Sequence, residues 1–191
     1  MKKIILLAAF IFLSCSNNSL DKAKALSQEL IIIDTHIDIP FQLYRQETNN
    51  GSSEDITELT TFHFDHPRAL EGGLNLPFFS IPAKTEEEGT SFELANNLIK
   101  MMNNIIDQNP DKFLFIDSPD QIEKLKQKGI VGIAYGIENG APIEGKLENI
   151  KYFADKGVNY ITLAHSKSNH ISDSSYDENK RWKGLSPFGI K

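Results

Sequence analysis

The strongest constraint on the fold of this chain is a regular alternation of short apolar runs with helix patterns. The apolar runs have the length and composition of buried strands, and they lie at about 30–37, 71–81, 113–116, 130–137 and 158–163. Three helix patterns lie between the later strands, at about 90–109, from Pro119 to Gly129, and in a segment closed by Gly157. Apolar stripes that include Leu98 and Met102 in the first pattern, and Leu147 and Ile150 in the third, are typical of packed helices. The polar segment 46–61 has no such periodicity and is predicted as a loop. Strands that alternate with helices in this way predict an α/β fold with a parallel sheet.

Polar side chains follow three of these strands at the points where they end. His36 and Asp38 end the first strand, Glu138 ends an otherwise apolar run, and His165 follows the last one. Residues i and i+2 of a strand point to the same face, so His36 and Asp38 project together and offer one nitrogen and one oxygen to a divalent metal such as zinc. A single histidine or glutamate at a strand end is more often packed or solvated than a ligand, but the recurrence at three strand ends favours a site.

Two parallel α/β architectures place a site at this edge of the sheet. In a (β/α)₈ barrel the carboxyl ends of the strands carry the active site, and in a doubly wound sheet ligands bind at the same edge. A doubly wound sheet usually has a glycine-rich phosphate turn after the first strand, and the segment 35–38 is not one. The sequence therefore predicts a barrel.

The first residues resemble a secretory signal of the bacterial lipoprotein type. A cationic start is followed by an apolar run from Ile4 to Leu13, which is too short to span a bilayer, and then by Cys15, the only cysteine. We predict a signal peptide over 1–14, lipidation of Cys15, and a tether over 15–28 that leads into a short helix. These features predict an exported protein that a lipid anchor holds on the bacterial cell envelope.

Composition excludes two broad classes. With 40% hydrophobic and 24% charged residues, the 191-residue chain is too apolar for a disordered protein. The net charge is −6 and no basic cluster occurs, so we expect no nucleic-acid partner.

Five segments in order resemble the renal, or membrane, dipeptidases, which are zinc metallopeptidases with a (β/α)₈ barrel. The segments are 33–40, 71–74 with 78–80, 135–140, 160–166 and 184–189. The resemblance implies that His36 and Asp38 bind the first of two zinc ions and that Glu138 bridges both. It implies that His165 lies outside the metal shell and contacts the carbonyl or the tetrahedral oxyanion of a dipeptide substrate.

The same resemblance implies that the chain holds only part of this machinery. In the family two further histidine ligands, an arginine and an aspartate come from later strands, and Lys191 precedes their positions. We therefore predict that residues 29–191 form the N-terminal part of a barrel, that the second zinc site is incomplete, and that this fragment is inactive. We expect the remaining histidines, which are His63, His66 and His170, to lie on the surface or at the rim.

Two other functions stay open at this stage. One is a related amidohydrolase or lactamase that acts on a compact cyclic amide in the same fold. The other is an inactive surface lipoprotein that binds peptides, although the intact His36, Asp38 and Glu138 argue against decay of a catalytic site.

Overall fold

The computed structural model describes residues 17–83, 90–126 and 128–191, so the predicted signal peptide and Cys15 lie outside the described residues. Within these residues, five parallel strands form one sheet. They are β1 (Ile32–Ile37), β2 (Leu74–Pro82), β3 (Phe113–Phe115), β4 (Val131–Glu138) and β5 (Val158–Ile161). β1 pairs with β2 and β2 with β4, while β4 also pairs with β3 through its first residues and with β5 through its last. This sheet confirms the predicted parallel α/β class.

The α-helices lie before, between and after these strands. They are α1 (Asn17–Glu29), α2 (Ile39–Asn50), α3 (His66–Gly72), α4 (Ser91–Gln108), α5 (Glu148–Ala154) and α6 (Pro187–Ile190). α1 occupies most of the segment that the sequence predicted as a tether, and its Gln28 side chain donates to the carbonyls of Leu70 and Glu71 in α3. Among the described residues, no helix has both the length and the hydropathy that crossing a bilayer requires.

Two helices depart from the sequence expectation. The polar segment 46–61 was predicted as a loop, but its first residues continue α2, which ends at Asn50 and is followed by Gly51 with a left-handed backbone (φ 76°). The helix that was predicted from Pro119 to Gly129 is a 3₁₀ segment over Pro119–Lys126. The sequence pattern thus placed the second element correctly but not its turn geometry, and it did not predict α2.

β4 alternates large and small side chains along its whole length. Its large side chains are fully buried in the same apolar cluster as the buried residues of α4; they are Val131, Ile133, Tyr135 and Ile137. Gly132, Ala134 and Gly136 alternate with them and therefore face the opposite side of the sheet, the inner face. Glu138 continues this small-residue row, so the inner face leaves room for bulky neighbours just before the carboxylate.

The side of the sheet beyond β5 exposes apolar surface. The sequence assigned Leu147 and Ile150 to the apolar face of a helix, and each keeps 45% of its surface exposed. Together with Val158, Leu163 and Phe188 they line an open groove of about 400 Å³. The buried core thus lies around β2, β4 and α4, and the packing decreases towards β5.

Candidate metal centre

The parallel sheet brings the predicted strand-end residues to one edge. His36 is the second-last residue of β1, and Asp38 follows that strand directly as the residue before α2. Glu138 is the last residue of β4, and His165 lies four residues after the end of β5. All four side chains therefore meet above the carboxyl ends of the strands, as the sequence predicted from their positions.

His36, Asp38 and Glu138 form a compact group of potential metal ligands. Their ligand atoms all lie within 4.8 Å of one another. His36 Nε2 is 3.4 Å from Asp38 Oδ1 and 3.7 Å from Glu138 Oε1. Among the described residues, this is the only group of three or more His, Cys, Asp or Glu side chains with such an arrangement.

The spacing and the chemistry of this group fit zinc. Zinc binds imidazole nitrogen and carboxylate oxygen at about 2.0–2.2 Å, which places tetrahedral ligands about 3.4 Å apart. The two distances from His36 Nε2 lie near that value without any rearrangement. Three protein ligands leave a fourth position open, as in catalytic rather than structural zinc sites.

Glu138 is the least exposed member of the group. Its side chain is 17% exposed. Oε2 accepts a hydrogen bond from Ser80 Oγ at 3.2 Å, whereas Oε1 faces both His36 and His165. The carboxylate therefore sits between two imidazoles that come from different strand ends.

His165 lies beside the group rather than in it. Its Nε2 is 3.0 Å from Glu138 Oε1, and 58% of its side chain is exposed. The backbone carbonyl of His165 accepts a hydrogen bond from the Ser174 hydroxyl, which ties the histidine to the following loop. The imidazole can thus reach a molecule that enters from solvent while it touches the carboxylate.

Tyr160 contacts the site, although no feature of the sequence predicted a role for it. Its hydroxyl donates to the Thr35 carbonyl at 2.8 Å and lies 3.2 Å from His36 Nδ1. Burial, and then the negative charges of Glu138, Asp38 and Asp34, raise the pKa of Tyr160. The one hint in the sequence is the pair of glycines at 132 and 136, which makes space on the inner face of β4.

A buried amide network behind the site was also missed. The Asn139 N–H donates to Thr162 Oγ1 at 2.7 Å, and Asn139 Oδ1 accepts from Asn169 Nδ2 at 2.7 Å. Asn169 Nδ2 also donates to the Leu163 carbonyl at 2.7 Å. These bonds connect the residue after Glu138 to the segment that carries His165.

The three other histidines, which were predicted at the surface or the rim, differ in how far they are buried. His63 is exposed at the rim of a cleft of about 430 Å³ that His36, Asp38 and Gln42 also line. The prediction of a surface position is wrong for His66, which is 7% exposed because its ring packs against Phe113 and Nε2 contacts the Gly129 carbonyl at 2.9 Å. His170 is half-buried, with its ring centroid 5.2 Å from that of Phe188.

Comparison with known proteins gives one consistent result. Residues 20–191 match the family model described as membrane dipeptidase (peptidase family M19). A curated relative, dipeptidase ataJ of Aspergillus terreus, is 26% identical over 170 residues, which are 84% of this chain and 42% of that protein. The chain thus spans less than half of the length of the curated relatives that it matches.

Solved structures show the same fold. The probable dipeptidase PvdM from Pseudomonas aeruginosa superposes with a TM-score of 0.76 at 18% identity, over 92% of this chain and 46% of that one. A metallo peptidase from Rhodobacter sphaeroides, solved with a phosphinate mimic of the dipeptide L-Ala-D-Ala, has a TM-score of 0.67 at 17% identity, over 84% and 54%. The likeness to about half of each structure confirms the prediction of part of a barrel.

Proposed function

The chain belongs to the membrane dipeptidase family, and we propose that it supplies His36, Asp38 and Glu138 as zinc ligands for the hydrolysis of dipeptides. The observation that carries this proposal is the group of one imidazole and two carboxylates at the carboxyl edge of the parallel sheet. Its ligand spacing fits a tetrahedral ion with an open position. The dipeptide mimic in the Rhodobacter sphaeroides relative supports a dipeptide as the substrate.

Each residue has a role that follows from its surroundings. When bound, zinc lowers the pKa of a water molecule towards neutrality and polarises the scissile carbonyl. Glu138 beside Nε2 of His165 favours an imidazole that carries a hydrogen on that atom. With Glu138 engaged by the metal, that N–H would be available to donate a hydrogen bond to the carbonyl oxygen of the substrate and, more strongly, to the oxyanion that develops from it.

Zinc binding is the direct test of the ligand assignment. We expect the 191-residue chain to bind one zinc ion tightly by calorimetry. Asp38→Asn should weaken that binding at least about 100-fold. Loss of an outer-shell partner costs up to about 100-fold in metal affinity, and loss of a direct ligand should cost at least as much. Asp34→Asn is the matched control, because it removes an equal charge from the same cleft but not a proposed ligand. Asp34 Oδ1 accepts a hydrogen bond from the backbone N–H of His36. Equal affinities of the two variants, or two tightly bound ions in the wild type, would contradict the assignment.

Activity is tested on a polypeptide that contains this chain together with the remaining strands of the barrel. It should hydrolyse members of a dipeptide panel, lose that activity on chelation and regain it with zinc. A His165→Ala substitution should lower kcat while leaving the zinc content unchanged. Failure to hydrolyse any dipeptide by a zinc-loaded protein would exclude the dipeptidase assignment.

We also propose that Cys15 carries a lipid anchor on the outside of the cell. The support is the sequence alone: a cationic start, a short apolar run, and a cysteine directly before a polar stretch. The wild-type protein should partition into the detergent phase of Triton X-114 and Cys15→Ser into the aqueous phase. Ser16→Ala, one residue away, should behave as the wild type.

A further inference from the structure

The Tyr160 ring crosses the inner face of the sheet from β5 to β1. A Cβ atom built on Gly136 would lie 2.0 Å from Cζ of Tyr160, so only glycine at this position of β4 lets the ring pass. Beyond Gly136 the ring lies near Phe78 of β2, with 5.9 Å between the centroids. Its hydroxyl therefore reaches the far strand, next to Thr35 and His36.

The hydrogen bonds of that hydroxyl determine which nitrogen of His36 carries hydrogen. A tyrosine has one proton to donate, and the O–H of Tyr160 donates it to the Thr35 carbonyl at 2.8 Å. This carbonyl lies where the pairing of β1 with β2 is irregular, between Asp34 and Ile37. Towards His36 Nδ1, at 3.2 Å, the phenol oxygen can then only accept, which requires a hydrogen on Nδ1.

We propose that Tyr160 is a positioning residue that holds His36 as the Nδ1–H tautomer and so presents an unprotonated Nε2 to the metal. The inference deepens the proposed function, since it concerns the same zinc site. Without Tyr160, the two carboxylates that face Nε2, Asp38 at 3.4 Å and Glu138 at 3.7 Å, would favour a hydrogen on that nitrogen instead. A histidine protonated at Nε2 cannot donate a lone pair from that atom to zinc.

Tyr160→Phe tests this role, because it removes the hydroxyl and keeps the ring that fills the space at Gly136. Zinc ion alone is the probe, titrated into the 191-residue chain. We expect the affinity to fall about 10–100-fold, as for other outer-shell partners of metal ligands. Tyr152→Phe is the matched control: that tyrosine is also partly exposed and loses one hydroxyl bond, to Asn96 Oδ1 at 2.7 Å, far from the ligands. An unchanged affinity in Tyr160→Phe would overturn the proposal.

The second measurement separates positioning from simple loss of structure. Long-range ¹H–¹⁵N spectra of the metal-free protein report the tautomer of His36 directly, at a pH about two units above the ordinary histidine pKa of about 6.5. The wild type should show Nδ1–H, and Tyr160→Phe should shift towards Nε2–H. A wild-type His36 with its hydrogen on Nε2 would overturn the proposal without any variant. If the wild type binds no zinc, the proposed metal site is wrong. The tautomer of His36 in the metal-free protein then still tests the positioning role of Tyr160.

Discussion

Asn139 has a left-handed backbone (φ 74°) directly after the carboxylate that lies between the two histidines of the site. Non-glycine residues adopt this conformation at a cost of about 1–2 kcal/mol, and asparagine tolerates it best. The side chain offsets the cost, since it accepts hydrogen bonds from Asn169 Nδ2 at 2.7 Å and from the Ala141 N–H at 3.3 Å. The strained turn therefore ends β4 abruptly and leaves Glu138 at the open edge.

Two substitutions of Asn139 separate the backbone from the side chain. Asn139→Gly keeps the left-handed turn but removes the acceptor, and we expect it to lower the free energy of unfolding by about 1–3 kcal/mol. Asn139→Ala should cost a further 1–2 kcal/mol, roughly, because alanine resists this backbone conformation. Urea denaturation of the two variants measures the difference. Equal stabilities would show that the turn stores no strain.

Part of the site was predictable from the sequence and part was not, for reasons that individual residues show. His36, Asp38 and Glu138 were predictable because parallel strands put their carboxyl ends at one edge, whatever the exact register. Tyr160 was not, because its contact with His36 depends on a ring that crosses two strands through the space above Gly136. Such a reach is a property of tertiary packing, and no local pattern encodes it.

At the scale of elements, the rim loop over 51–65 is held at both ends by carboxylates. Near its start, Glu54 accepts from Gln46 Nε2 at 2.8 Å and from the Thr61 backbone at 2.7 Å. At its end, the buried Asp65 caps α3 and accepts from Arg68 Nε at 2.8 Å and from the Thr60 N–H at 3.0 Å. The two anchors hold the loop, with His63, over the cleft beside the metal site.

The Asp65 anchor predicts a pH dependence of stability. Burial alone would raise the pKa of Asp65, but the bonds from Arg68 and Thr60 outweigh it and lower the pKa from 3.8 to about 2. The folded state thus binds this proton less readily than the unfolded state, so the stabilisation is complete above about pH 4 and disappears as the pH falls towards about 2.

Asp65→Asn tests this dependence. It should lower the free energy of unfolding at neutral pH, and its difference from the wild type should shrink as the pH falls from about 4 to about 2. Urea denaturation across this range is the measurement. Asp155→Asn, at an exposed carboxylate paired with Lys151, should change little at any pH. A constant difference between Asp65→Asn and the wild type would contradict the anchor as described.

The elements differ in how well their sequence predicted them. β4 and α4 were placed within one or two residues, because a continuous apolar run and a helical stripe both reflect burial. α3 was missed because its seven residues are too few to show a helical stripe and begin with His66 and Pro67. The Asp65 cap and packing on β2 stabilise this helix, and both are tertiary features that a local sequence pattern does not predict.

At the scale of the whole molecule, the parallel direction of the strands was predictable from the sequence, but their order, β1-β2-β4-β3, was not. Alternating strands and helices require crossover connections, which fix the direction of every strand. The passage of the Tyr160 ring over β4 depends on Gly136, because a Cβ atom there would lie 2.0 Å from the ring. The superposition with about half of each solved relative agrees with this arrangement.

The exposed groove beyond β5 predicts how the 191-residue chain behaves in solution. Leu163 is 49% exposed beside Ile150 at 45%, and contiguous apolar surface of this kind drives association. We expect sedimentation velocity to show concentration-dependent self-association of the chain and Ile150→Lys to reduce it. Lys151→Ala, at the neighbouring position outside the groove, should leave the association unchanged. A polypeptide with further β/α units packed on β5 would bury the same face, so it should stay monomeric at concentrations at which this chain associates. A 191-residue chain that stays monomeric at high concentration would contradict this account.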